Sequence, residues 1–310
     1  MRTTRRRFVQ GTLATTALSG IPGISSAQPS RARTIRAVMQ GDLRSLDPIW
    51  TTANITAYHG AMIYDTLFAL DAEQRTRPQM VGKFGVSDDK LTHTFELRDG
   101  LKFSDGSALT ADDVVASIRR WAARDGGGQH MMQRVKDIAK KDDKTFVVAL
   151  KEPYGLVTDL MAKTATPVLY IMRKKEAETD PNQQITEYIG SGPFSYNRDE
   201  TRMGSRYVYD RNPHYAPRAE PASGMSGGKV AKVDRVIYEN MPDSQTALQA
   251  LKAAEIDFFE IPPIDLIDTL ESDPNIKIEV LNKLATTASC GSITCIRRST
   301  MSTRARRCST

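Results

Sequence analysis

Apolar and polar positions alternate over Thr34–Gln40, Leu91–Leu97 and Arg206–Asp210, which predicts strands with one buried face. In Leu91–Leu97 the inward set is Leu91, His93, Phe95 and Leu97. Compact apolar runs predict further strands at Thr145–Leu150, Val233–Glu239, Ile256–Glu260 and Ile276–Val280, and one opening at Ser191–Phe194. Helical spacing appears over 54–67, through Ala57, Ala61, Ile63, Tyr64 and Leu67. It appears again over 110–123, where Val114, Val115, Ile118 and Trp121 form the apolar stripe. Shorter helices are expected at 155–163, 243–254 and 263–270. Thr110 and Asp113 stand as a capping box, with Asp in the place usual for Glu. The glycines 126–128 are read as a helix stop. The stretch 212–228, with Pro213, Pro217, Pro221, Gly224, Gly227 and Gly228, reads as a loop. Strands and helices mixed in this way, with no repeat of fixed period, predict α/β or α+β lobes.

Charge changes the picture at the ends only. The 310 residues carry a net charge of +6, but four arginines lie in residues 1–27 and five in 285–310, with no acid in either segment. Taking those nine away leaves −3 for residues 28–284, so the body offers no basic footprint for nucleic acid. All three cysteines, Cys290, Cys295 and Cys308, fall in the last segment, and the body has no thiol chemistry. No run of 18 apolar residues occurs. Residues 1–27 have a basic start (Arg5-Arg6-Arg7-Phe8-Val9), a mildly apolar stretch and Ser25-Ser26-Ala27. That order is expected of an export signal of the twin-arginine type, with a free periplasmic product starting near Gln28.

Catalytic chemistry is not visible. The four histidines are isolated, there is no Gly-x-Ser-x-Gly elbow, and the glycines at 126–128 lack the Lys that would cradle a phosphate. The acid pairs Asp88-Asp89, Asp112-Asp113 and Asp142-Asp143 sit at turns and helix starts, where they serve backbone N–H groups. The expectation is no catalytic residue, no metal and no cofactor.

The run Leu97-Arg98-Asp99-Gly100-Leu101-Lys102-Phe103-Ser104-Asp105-Gly106, followed by Leu109 to Ser117, is the most specific in the chain. It resembles the signature of the family 5 extracellular solute-binding proteins, the periplasmic receptors of peptide and nickel ABC importers. Leu46-Asp47-Pro48, Ile63 to Leu67, Gly190 to Phe194 and Glu255-Ile256-Asp257 resemble other blocks of that family in the same order, over about residues 34–284. The resemblance implies an α/β, type II-like periplasmic-binding-protein architecture of two lobes closing around an extended ligand. Here it is incomplete, with the C-terminal lobe missing. It further implies a monomer that takes a peptide or other small polar solute and hands it to ABC permease subunits in the inner membrane. An exported enzyme, or a nickel or haem receptor on the same scaffold, are the alternatives. Ligand contacts are expected on cleft loops. Trp50, Thr51 and Thr52 are the first candidates, with Tyr58 and the backbone of Ser191-Gly192 after them. Ordinary core or hinge packing is the competing role for Trp50.

The likeness stops near Leu284. One legal set of codons for Thr294–Ser302, regrouped one base earlier, decodes as His-Leu-Tyr-Pro-Pro-Phe-Asp-Asn-Val, the continuation the family implies. Codons for Ala288–Ile293 regroup to Val-Leu-Arg-Ile-Asn. Residues 285–310 are therefore expected to be a frameshifted tail, against the alternative of a genuine basic, Cys-containing one. The resemblance then implies that the missing part holds the second lobe and the acidic group that pairs with a peptide's ammonium. A product lacking its returning strands is expected to fold poorly and bind weakly.

Overall fold

The computed structural model describes residues 33–280 and the backbone of 293–297. In chain order, β1 (Thr34–Val38) leads to α1 (Asn54–Ile63) and the hairpin β2 (Phe68–Leu70) and β3 (Thr76–Pro78). An antiparallel unit follows: β4 (Val81–Val86), β5 (Thr92–Leu97), α2 (Ala111–Arg124), α3 (Gly126–Arg134), β6 (Val135–Lys140) and β7 (Thr145–Leu150). Then come α4 (Val157–Met161), α5 (Lys174–Ala177), β8 (Phe194–Arg202), β9 (Arg206–Arg211) and β10 (Arg235–Glu239). The described part ends with α6 (Ser244–Lys252), β11 (Phe258–Phe259), α7 (Ile267–Glu271), β12 (Ile276–Val280) and β13 (Ile293–Arg297).

Three apolar clusters hold these elements. In the first, the sheet β4-β5-β7-β6 buries Phe95, Phe146 and Val148 against Val114, Ile118 and Trp121 of α2 and Met131 of α3. The second joins Ile63, Tyr64 and Ile55 at α1 to Phe194, Tyr207, Tyr209 and Val236 on β8–β10. The third packs Ala247, Leu248 and Leu251 of α6 and Leu270 of α7 on Val38, Phe259 and Ile276. The large sheet runs β12-β13-β11-β1-β10-β9-β8. Its central strand β1 lies parallel to both β10 and β11, and the outer pairs are antiparallel.

Two buried ion networks fasten the signature blocks. Asp47 and Arg120 meet at 2.8 Å with side chains 0% and 1% exposed. Arg120 also donates to the carbonyls of Thr179, Asp180 and Gln183, and the Asp47 carboxylate accepts from Ile185 and Ile49 N–H. The fully buried Asp65 takes Lys229 Nζ at 2.8 Å, Tyr215 Oη at 2.9 Å and Gln79 Nε2 at 3.3 Å, which clamps the 212–228 loop to the body. At the start of α2 the Asp113 carboxylate accepts from Thr110 N–H and Oγ1–H, and its other oxygen takes Lys174 N–H.

Some sequence expectations need correction. The first helix ends at Ile63, because Tyr64 turns extended (φ −117°, ψ 160°) to carry Asp65 into its network; Tyr64 and Leu67 are buried outside the helix. The glycines 126–128 do not only stop α2. Asp125 caps a new helix, α3, by accepting Gly128 N–H at 2.8 Å. Glycine fits there because a Cβ on Gly128 would lie 2.7 Å from Ala122 Cα. β4 and β6, the edges of the small sheet, are strands that the pattern does not mark, and so is the hairpin β2–β3.

Candidate functional site

β1 is the point where the parallel connections part: β10 lies on one side of it and β11 on the other. In open α/β sheets the crevice outside the carboxyl ends of strands at such a point is where ligands bind. Three segments converge there: Met39-Gln40-Gly41 after β1, Asn240-Met241 after β10, and Glu260-Ile261 after β11. Gly41 makes the turn away from β1 at φ +99°, a left-handed conformation, with its backbone against Ile55 of α1.

Glu260 is the polar centre of this edge. Its backbone N–H donates to Val38 C=O at 3.0 Å and its Oε2 accepts Gln40 N–H at 2.7 Å, so the side chain crosses between two strand ends. The Tyr58 phenol reaches over from α1 to the same carboxylate, close enough for each to shift the other's titration. Glu260 is 8% exposed and Tyr58 37%. Burial pushes the Glu260 carboxyl above its ordinary value, although both hydrogen bonds pull it down. Burial, and next to it the Glu260 charge, pushes the Tyr58 phenol up. Apolar Ile261 and Ile264 continue the rim, Ile264 with 76% of its surface exposed.

Behind α1's exposed face lies an aromatic floor. His59 is buried, with its ring edge-on to Tyr207 (4.8 Å) and Tyr238 (4.9 Å), and its Nδ1 is hydrogen-bonded with the Tyr209 hydroxyl. Burial alone lowers its pKa to about 3, so this imidazole stays neutral and structural near pH 7.

The six residues singled out from sequence make contacts with different elements. The Trp50 ring lies 5.6 Å from the Arg124 guanidinium at the end of α2, and the Trp50 backbone N–H donates to Asp47 C=O. Thr51 Oγ1 accepts Ala53 N–H at 3.2 Å just before α1, and Thr52 C=O accepts the Thr166 hydroxyl. Ser191 is buried, donating to Ile171 C=O and accepting Asp65 N–H. Gly192 N–H donates to Ile63 C=O at 2.8 Å, and a Cβ there would lie 2.7 Å from the same backbone. Only Tyr58 reaches the strand-end site. Gln40 and Glu260 are its other members, and sequence reasoning missed both. The usable signal for Glu260 was its position, the last residue of a short apolar strand run ahead of Pro262-Pro263.

Among the described residues no group of three His, Cys, Asp or Glu side chains lies together as metal ligands, and no helix is long and apolar enough to cross a membrane.

A model of the family described as bacterial extracellular solute-binding proteins, family 5 (middle), matches residues 75–296. The chain is 48% identical over 287 residues to the probable peptide ABC transporter periplasmic-binding protein y4tO of Sinorhizobium fredii, covering 91% of this chain and 53% of that protein. Among solved structures it resembles the binding protein AgaA from A. tumefaciens R10 in complex with agropinic acid (TM-score 0.66, 21% identity, 79% of this chain and 47% of that one). It also resembles DppA of Helicobacter pylori in complex with the peptide STSA (TM-score 0.64, 23% identity, 79% and 50%). These structural likenesses show the fold, which is the mixed α/β architecture of periplasmic binding proteins. The chain spans about half the length of the curated relatives it matches.

Proposed function

The chain belongs to the family 5 bacterial extracellular solute-binding proteins, and from that premise we propose that it carries one wall of a solute receptor of an ABC importer. Its cargo is a peptide-like solute, captured in the periplasm and delivered to permease subunits, with no chemical step. The observation that carries this reading is the site at the carboxyl ends of β1, β10 and β11. It is a polar notch built from Gln40, Tyr58 and Glu260 on a rigid sheet, where this architecture places its ligands. The relative y4tO, named as a probable peptide-binding component, supports the choice of peptide. A second lobe closing on the notch would exclude water and strengthen each polar contact.

The same proposal covers the ends of the chain: residues 1–27 as a twin-arginine export signal, 28–284 as receptor, and 285–310 read out of frame. Apart from the backbone of 293–297, these end segments lie outside the described residues, and the family match runs to residue 296. The test is calorimetry with a mixture of di- and tripeptides on two proteins, the chain as it stands and a version with the frame restored after codon 284. Saturable heat from the restored protein, and far weaker heat from the present chain, is the expected result. No binding by the restored protein refutes the receptor reading, and strong binding by the present chain refutes the proposal of an impaired product.

A further inference from the structure

We propose that the outer edge of β4 is a self-association site, where a second copy of this chain lays its own β4 antiparallel to the first about a two-fold axis through Gly85. Such pairing is independent of the solute-receptor reading and departs from the monomer that the family resemblance implies.

β4 ends the small sheet, and among the described residues no strand lies beyond it. Its register sets Gly85 opposite Thr94 and Val86 opposite His93, and Ser87 N–H donates to Thr92 C=O at 2.9 Å. Antiparallel bonding alternates, so Lys83, Gly85 and Ser87 bond toward β5, and the N–H and C=O groups of Phe84 and Val86 face outward. An edge of this kind is a template for another strand. Its side chains are apolar for so open a place: Phe84 is 50% exposed and Val86 46%. Phe84 is also the outer end of an aromatic row. Its ring stacks on Phe95 at 6.4 Å, and Phe95 stacks on Phe146 at 4.9 Å. The row crosses β7, β5 and β4 and stops at a half-exposed ring.

A second β4 complements this edge in three ways. With Gly85 on the axis, Phe84 opposes the second copy's Val86, and these are the residues whose outward groups must meet, so each exchanges N–H and C=O with its opposite number. Their side chains fall on one face and carry the apolar row across the axis. Gly85 then opposes its own copy at a close pair of the ladder, and beyond its chain neighbours no atom lies within 4 Å of a Cβ built there, so nothing obstructs the approach. Lys83, 79% exposed, comes opposite the second copy's Ser87, beside the exposed turn acids Asp88 and Asp89. The Ser87 hydroxyl and Leu91 N–H hold the Asp89 carboxyl below its ordinary value, which keeps it charged. Lysine on an edge ordinarily repels a second strand. Here the pairing that joins the apolar residues also brings Lys83 to opposite charge, at both ends of the contact.

The competing explanation is that Lys83 and the irregularity near Val81 keep the edge solitary. Sedimentation velocity of the full chain over a concentration series is expected to show a monomer–dimer equilibrium. Val86→Lys, at an exposed position whose main-chain groups turn away from β5, weakens it by about tenfold or more. Gly85→Cys tests the register. In a background of Cys290→Ser, Cys295→Ser and Cys308→Ser it sets two thiols across the axis with Cα atoms about 4.5 Å apart, within disulfide range. Oxidised glutathione accepts the two electrons and both protons, leaving a disulfide-linked dimer and two reduced glutathiones. Lys83→Cys in the same background leaves its thiols roughly 14 Å apart along the strands and is expected to stay unlinked. A chain that remains monomeric throughout overturns the proposal. So does association unchanged by Val86→Lys, or a Gly85→Cys variant that links no faster than Lys83→Cys. Where Val86→Lys fails to fold, the cysteine pair decides, and where Gly85→Cys fails, Val86→Lys does.

Discussion

Arg120→Leu is the sharpest test of what holds the signature blocks together. The substitution removes a guanidinium that is 1% exposed and leaves Asp47, 0% exposed, with its 2.8 Å partner gone. Asp47 keeps two backbone donors, Ile49 and Ile185 N–H, so it is not stripped of all support. Three carbonyls, on Thr179, Asp180 and Gln183, lose their donor at the same moment. Breaking a buried pair in this way costs about 3–5 kcal/mol, chiefly because the surviving charge is left in a dry place. A matched control is Lys83→Leu, which deletes an ion pair to Glu96 at 3.2 Å whose side chains are 79% and 46% exposed. That pair is worth about 0–1 kcal/mol. Urea unfolding followed by tryptophan fluorescence reads both, since Trp121 is buried beside the pair and Trp50 follows the Asp47 block. The double variant Arg120→Leu/Asp47→Asn is expected to lose less than the sum of the singles, by about 1–3 kcal/mol. If Arg120→Leu costs no more than Lys83→Leu, the clamp argument fails. Additive singles would equally show that the two side chains do not act as a pair.

The remaining predictions concern three other buried features. His59 has its pKa lowered to about 3, against 6.5 unfolded, so below pH 6.5 the unfolded chain binds a proton that the native chain refuses. This contribution is complete above pH 6.5 and is lost as pH falls, by about 1.4 kcal/mol per unit; denaturation between pH 4.5 and 6.5 should flatten by that slope in His59→Gln. Gly190→Ala puts a Cβ 2.1 Å from Ile63 O, a backbone clash that no rotamer relieves. At about 3 kcal/mol the melting temperature should fall by roughly 6–12 °C, and a loss under 2 °C contradicts the packing described. Lys229→Met strands the buried Asp65 and is expected to free the 212–228 loop, read as faster hydrogen exchange at Met225, whose N–H donates to Leu70 C=O, and at Gly227, whose N–H donates to Gln79 Oε1. Unchanged exchange there would show that Lys229 is not the clamp.

Most of the element order was legible because burial leaves a period in the sequence. β5 alternates in sequence and carries its inward residues where alternation puts them, and β7, read from a compact apolar run, buries every second residue in the same way. The edge strand β4 was not legible: five of its six residues are exposed and two are glycines, so no buried face writes a pattern. The overlong first helix has the opposite cause. Tyr64 and Leu67 are buried and fall at helical spacing, yet the backbone there is extended, because long-range bonds to Gly192 and Asp65 outweigh local periodicity. The site followed the same logic. Tyr58 stood out as an aromatic on the first helix, whereas Glu260 matters only because β11 lies beside β1, and no local pattern states which strands are neighbours.

The residues that reveal the family are therefore not the ones that choose the cargo. Arg98 donates to the carbonyls of Gln79 and Ala216, Asp105 pairs with Arg173, and Asp113 ties the start of α2 to the start of α5. Each of these bonds joins pieces of the scaffold, and none runs to Gln40, Tyr58 or Glu260. Such residues are specific in sequence because a charged group joining carbonyls from distant segments tolerates few replacements. A ligand-facing notch obeys a looser rule. It needs rigid strand ends and a carboxylate held in place, and the surrounding rim can vary with the solute. A signature of this kind identifies the frame with confidence and is silent on the ligand. The residues that choose the cargo must accordingly be sought at the strand ends, where the sheet brings β1 and β11 together, and not in the motif that identifies the fold.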